Sequence, residues 1–236
     1  MLVTAVGLEH TGHHVWWGDG RDLQSGVFGR LSQYALHVEA SWVMYDTFWQ
    51  QPAFTHVQRN LSNGVSRIAT EFRFAHGEHM WVPINSYPGG TCHVRGGKCS
   101  IPDVRLLWQS ARLASVDMRF LLLTRPAFEL IYDSLWPRDG YVAERVDLLT
   151  RSCRKMQRHL NYLPQSHVLC LPYHATCNNT ERLARLDQFL DVPGASKVLC
   201  ERFHKTRRHR PPVSPPLHTK FEELLSCTTR VEAQHC

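Results

Sequence analysis

The chain opens on an unbroken apolar run, Leu2-Val3-Thr4-Ala5-Val6, and three later stretches share its character: Met80–Ile84, Arg119–Thr124 and His167–Tyr173. Each is short, apolar and rich in branched or aromatic residues, which predicts four strands covered on both faces. Between them the apolar period lengthens to that of a helix. Val104, Leu107, Trp108, Ala111 and Ser115 share one face behind Pro102 and Asp103, a favourable helix start. Val146, Leu149, Cys153, Met156 and Leu160 form a cleaner stripe, with Arg145, Arg151, Arg154 and Arg158 outside it. Leu183, Leu186 and Leu190 form a third, with Asn178 as the expected cap and Glu181 three residues later. Strands alternating with helices imply crossover units. The expected fold is therefore α/β, a three-layer sandwich around a central, mostly parallel sheet.

Two regions break the rhythm. Gly89–Gly97 is expected as a flexible surface loop, in which Cys92 and Cys99 can pair under oxidising conditions. From His204 to Pro216 a basic run passes into a proline-rich stretch that excludes regular helix or sheet. This divides the chain into an α/β domain over residues 1–203 and a basic, proline-rich C-terminal segment over 204–236.

A length of 236 residues suits one domain with a sizeable core. The formal charge of +6 favours an anionic partner such as a nucleotide, a polyanionic sugar or nucleic acid. Nucleic acid is the weakest of these, because no basic-and-aromatic module is present. No stretch reaches the roughly 18 consecutive apolar residues of a membrane span. The eight cysteines and the triplets Asn60-Leu61-Ser62 and Asn178-Asn179-Thr180 fit a secretory lumen. The strand at the very start is not a leader, so the expected location is the cytoplasm, or a lumen if a leader is missing.

In an open α/β sheet, ligands bind beyond the carboxyl ends of the strands. The first strand runs into Gly7-Leu8-Glu9-His10-Thr11-Gly12-His13-His14 and then the apolar Val15-Trp16-Trp17. Glycine lets backbone curl round a phosphate, and a following helix offers free N–H groups and its positive end. The Gly-Lys-Ser/Thr of an ATPase or GTPase loop is missing, since two histidines follow Gly12. The bland alternative is a glycine-containing strand-to-helix turn with no ligand.

A second segment narrows the choice. Arg119-Phe120-Leu121-Leu122-Leu123-Thr124-Arg125-Pro126 is a buried strand ending in arginine, followed by Ala127–Leu135 with Ser134 inside it. Together with the first loop this resembles the sulfotransferase family, whose strand-end Arg and helix Ser grip the donor's 3′-phosphate while the first loop cradles its 5′-phosphosulfate. The Arg-rich helix, the strand His167–Tyr173 and Phe189-Leu190-Asp191-Val192-Pro193 are similar to that family's C-terminal half. The resemblance spans residues 2–17, roughly 80–135, and 144–193. It implies a P-loop-like fold and 3′-phosphoadenosine 5′-phosphosulfate (PAPS) as donor. The implied reaction moves a sulfuryl group to a hydroxyl or amine acceptor, a carbohydrate being favoured. A Golgi lumen would be the setting if a leader is missing.

Carried onto this sequence, the donor site comprises Gly7, His10, Thr11, Gly12, His13, His14, Arg125 and Ser134. His10 stands where soluble members carry Lys or Arg, and can take that role only when protonated, its ordinary pKa being about 6.5. Ser134 comes one residue later than the family spacing, leaving Asp133 in the usual place, and the family's acceptor-side His is replaced within Asn85-Ser86-Tyr87-Pro88. Catalytic candidates are Glu9 as base, His14 as the next choice, and His10 as the charge-stabilising group. The basic run Lys205–Arg210 is a further candidate, closing over the 3′-phosphate, or else a solvated tail. Trp42, Tyr45, Phe48, Trp49, Phe54 and Phe72 either line an acceptor pocket or belong to the core.

Other readings stand beside this one. Arg125 can be a structural ion-pair partner of Asp133 or Glu129. The domain can bind a nucleotide or partner without turnover. His10, His13, His14, His76, His79, Cys92, His93 and Cys99 offer nitrogen and sulfur ligands for zinc, but without a CxxC pair or the zinc-protease histidine spacing. The donor-site reading therefore includes no metal.

Overall fold

The structure, a computed structural model, describes residues 1–8, 11, 15–16, 26–31, 47–50, 60–74, 80–82, 86–90, 99–127, 129–130, 142–173, 176–203 and 218–236. The central sheet is built from β1 (Leu2–Leu8), β3 (Met80–Val82), β7 (Met118–Thr124) and β8 (Val168–Pro172), in the order β3-β1-β7-β8. A short β4 (Ser86–Tyr87) also pairs with β1. Every pairing described in this sheet is parallel. The α/β expectation holds.

Burial follows the two-residue period of the strands. Leu2, Val6, Met118, Phe120, Leu122, Val168 and Cys170 enter one core, and Val3, Ala5, Leu121, Leu123, Leu169 and Leu171 the other. With both faces dry, no polar alternation survives, which is why these strands read as continuous apolar runs. The first face is covered by α2 (Leu61–Phe74), α3 (Val104–Leu113), α4 (Val142–Leu160) and α7 (His218–His235). The second is covered by α1 (Val27–Leu31), α5 (Thr180–Leu190) and α6 (Ala195–Phe203). A separate antiparallel sheet joins β2 (Trp49–Gln50), β6 (Cys99–Pro102) and β5 (Gly89–Gly90). Gly89 and Gly90, expected in a loop, are thus strand residues, and residues 91–98 lie outside the described set.

The helix starts follow local chemistry. Asp103 caps α3, its side chain accepting from the Leu106 N–H at 2.9 Å. The cap of α5 is Asn179, one residue beyond the expected Asn178; its Oδ1 accepts from the Arg182 N–H at 2.9 Å. Asp191 ends α5 in the left-handed region (φ 52°), a conformation that Asp tolerates better than most residues. Asp187 then reaches forward to the Ser196 N–H at 2.7 Å and its Oγ at 3.1 Å, tying α5 to the start of α6.

The larger departure is at the C-terminus. The sequence reading leaves 204–236 outside the domain, yet Leu224, Cys227 and Val231 of α7 are buried in the main core. Disulfides Cys153–Cys227 and Cys170–Cys236 fasten α7 to α4 and β8, and Cys177–Cys200 joins the start of α5 to α6. Cys99 is also disulfide-bonded; Cys92, its expected partner, lies outside the described residues.

Candidate functional site

The carboxyl ends of β1, β7 and β8 meet at one edge of the sheet. Gly7 pairs with Leu123 of β7 and Ser86 of β4, so its backbone is flanked on both sides. A Cβ at Gly7 would stand 2.6 Å from the Leu123 carbonyl oxygen and collide with Thr11 Oγ1. Only glycine fits this close approach. The chain then turns back at Thr11, whose backbone N–H and hydroxyl both donate to the Leu8 carbonyl, at 3.1 and 2.7 Å.

That turn changes the role assigned to Thr11. Both of its donors are used on Leu8 and the residue is buried, so Thr11 shapes the loop and does not offer a donor to phosphate. Gly7 likewise acts through its lack of a side chain.

Arg125 is the first residue after β7 and is only 6% exposed. Its Nε donates to Glu129 Oε2 at 2.7 Å, an i,i+4 pair buried at both ends. The guanidinium also lies over the Tyr173 ring, 4.5 Å from its centroid. Tyr173 is held in turn by its N–H, which donates to the Thr124 carbonyl at 2.9 Å. The ends of β7 and β8 therefore fix the guanidinium between a carboxylate and an aromatic face. Of the two ion-pair partners considered from sequence, Glu129 is one in the structure; Asp133 lies outside the described residues.

Leu8, Thr11, Thr124 and Arg125 line a crevice closed by Met156 of α4 and by Thr228 and Val231 of α7. Its free volume is about 10 Å³, roughly the space of one water molecule. The contribution of α7 was not visible in sequence, because its apolar residues follow a proline-rich stretch. A second buried polar pair joins α4 to β4: His159 Nδ1 and the Tyr87 hydroxyl are 2.9 Å apart.

Of the candidate residues, Gly7, Thr11 and Arg125 are brought to this one edge. Glu9, His10, Gly12, His13, His14 and Ser134 lie outside the described residues, as does the basic run Lys205–Arg210. Phe48 is fully buried in the main core, which removes it from any acceptor pocket. Cys99, being disulfide-bonded, is lost as a thiolate ligand, and the described residues contain no group of three metal-ligating side chains. No helix among the described residues is long and apolar enough to cross a membrane.

Compared with known proteins, the chain matches no family model, no curated protein and no solved structure.

Proposed function

We propose that the chain is a sulfotransferase-type enzyme with a P-loop-like first turn. It takes the sulfuryl group of PAPS and delivers it to a hydroxyl or amine acceptor, a carbohydrate by preference. One observation carries the reading: Gly7, near the end of β1, and the buried Arg125, just after β7, stand at the carboxyl ends of adjacent parallel strands. That is where an α/β sheet takes a nucleotide, and one end of the donor needs a cradle while the other needs a fixed cation. The net charge of +6 suits such an anion.

In this reading the nucleotide lies along the carboxyl edge outside the small crevice, with Arg125 facing its 3′-phosphate. Glu129 and Tyr173 hold the guanidinium in place, so little ordering is left for binding. Gly7 and Thr11 set the path of the loop, and binding of the phosphosulfate is assigned to the amides of His10, Gly12, His13 and His14. Sulfuryl transfer needs in-line attack and donors on the sulfuryl oxygens, so positioning and electrostatics supply most of the acceleration. Ser134 completes the 3′-phosphate site. Glu9, or else His14, takes the acceptor proton, and His10 adds charge when protonated. Every described cysteine is disulfide-bonded, which favours an oxidising compartment such as the Golgi lumen.

The Arg125–Glu129 pair also favours a second reading, in which Arg125 is structural and the domain binds no donor. Calorimetric titration with adenosine 3′,5′-bisphosphate and with adenosine 5′-monophosphate separates the two. The enzyme reading requires clear preference for the bisphosphate, followed by transfer of labelled sulfate in an acceptor screen. Equal, weak binding of both nucleotides leaves Arg125 as a structural residue.

A further inference from the structure

We propose that Asn178 is an acceptor for an N-linked glycan, presented at the same sheet edge as Arg125. Asn178-Asn179-Thr180 is an acceptor triplet without proline at its centre, and all three residues are exposed. Asn178 and Asn179 lie in the connection from β8 to α5, downstream of Tyr173, and Thr180 is the first residue of α5.

The local geometry makes Asn178 the better of the two triplets. At Asn60 the acceptor side chain is itself a helix cap, its Oδ1 accepting from the Asn63 N–H at 2.9 Å. At 178 the cap is the neighbour, Asn179, and the Asn178 amide makes no hydrogen bond among the described residues. The connection is nevertheless well held. Thr176 bonds back to the Pro172 carbonyl through its N–H at 3.0 Å and its hydroxyl at 2.7 Å, and Cys177 is bridged to Cys200. Asn178 thus follows two residues that are held in place, and modifying its exposed side chain disturbs no bond that the described residues show.

The disulfides supply the second observation. Three described bridges, with Cys99 also bridged, suit the oxidising lumen in which such glycans are attached. In the reaction, Asn178 Nδ2 forms a bond to the anomeric carbon of a lipid-pyrophosphate-linked oligosaccharide. The bond from that carbon to the pyrophosphate oxygen breaks, its electron pair leaves with the lipid pyrophosphate, and the amide gives up one proton. None of this depends on sulfuryl transfer, so the two readings stand or fall separately.

The test directs the full chain into the secretory pathway of a eukaryotic host with a cleavable leader, then maps its peptides by mass. The expected result is a glycan on Asn178, with enzymatic release of the sugar leaving aspartate there. Thr180→Ala should abolish the modification and Thr180→Ser keep it. A variant retained in the cell is mapped in the same way from the cell extract. An unmodified Asn178 in secreted protein with its disulfides formed overturns the proposal. So does a glycan at Asn178 that survives Thr180→Ala.

Discussion

Gly7 faces Leu123 across the β1–β7 pair so closely that a Cβ on Gly7 would lie 2.6 Å from the Leu123 carbonyl oxygen. A backbone oxygen in mid-sheet cannot rotate away. Gly7→Ala should therefore cost ~1–3 kcal/mol of stability, in the range of overpacked sites, and shift the Thr11 turn. Denaturant unfolding measures the loss. A variant as stable as the parent would mean that β1 and β7 pair less closely than described.

The Cys153–Cys227 bridge closes a span of 74 residues between α4 and α7. A loop of that length restricts the unfolded chain strongly, so Cys227→Ser should lower stability by about 2–5 kcal/mol. Under non-reducing conditions α7 should also become the first protease-sensitive element. Unchanged unfolding and unchanged digestion would show that packing and the Cys170–Cys236 bridge hold α7 to the domain without it.

His235, near the end of α7, has both ring nitrogens buried without a hydrogen-bond partner among the described residues, and burial lowers its pKa below the ordinary 6.5. Above that value the ring is neutral in folded and unfolded chains alike. As pH falls through it, the unfolded chain takes the proton first, so folded stability declines down to the lowered folded pKa. Melting curves between about pH 7.5 and 5.5 should show this loss, and His235→Gln should reduce it. An identical pH slope in the variant would remove His235 as its source.

The parts of this fold that are legible in sequence are those with a dominant period. β1, β7 and β8 are buried on both faces, so their apolar runs have no polar interruption. Asp103 could be read as the start of α3 because its carboxylate caps locally, whereas Asn178 and Asn179 sit side by side and only geometry selects the second. α7 was missed for two reasons. Its apolar residues follow a proline-rich stretch, and cysteine spacing does not give the connectivity that ties Cys227 to Cys153. Arg125 was legible as a strand-end cation. The double use of the Leu8 carbonyl by Thr11 was not, because it depends on how tightly the chain turns after Gly7.

In the proposed enzyme Arg125 binds the 3′-phosphate of a sulfuryl donor, with Glu129 and Tyr173 holding its guanidinium. The most direct measurement is calorimetric affinity for adenosine 3′,5′-bisphosphate in the parent, Arg125→Ala and Arg125→Lys proteins, with adenosine 5′-monophosphate as the reference ligand. Losing a charge-assisted contact from a partly desolvated site should cost about 2–5 kcal/mol of binding, or tens to thousands of fold in affinity. Lysine should restore only part of it, since an ammonium cannot copy the planar fork. The monophosphate should bind all three proteins with nearly the same weak affinity. The proposed role of Arg125 is contradicted if Arg125→Ala binds the bisphosphate as tightly as the parent, or if it weakens both nucleotides alike while its melting temperature falls.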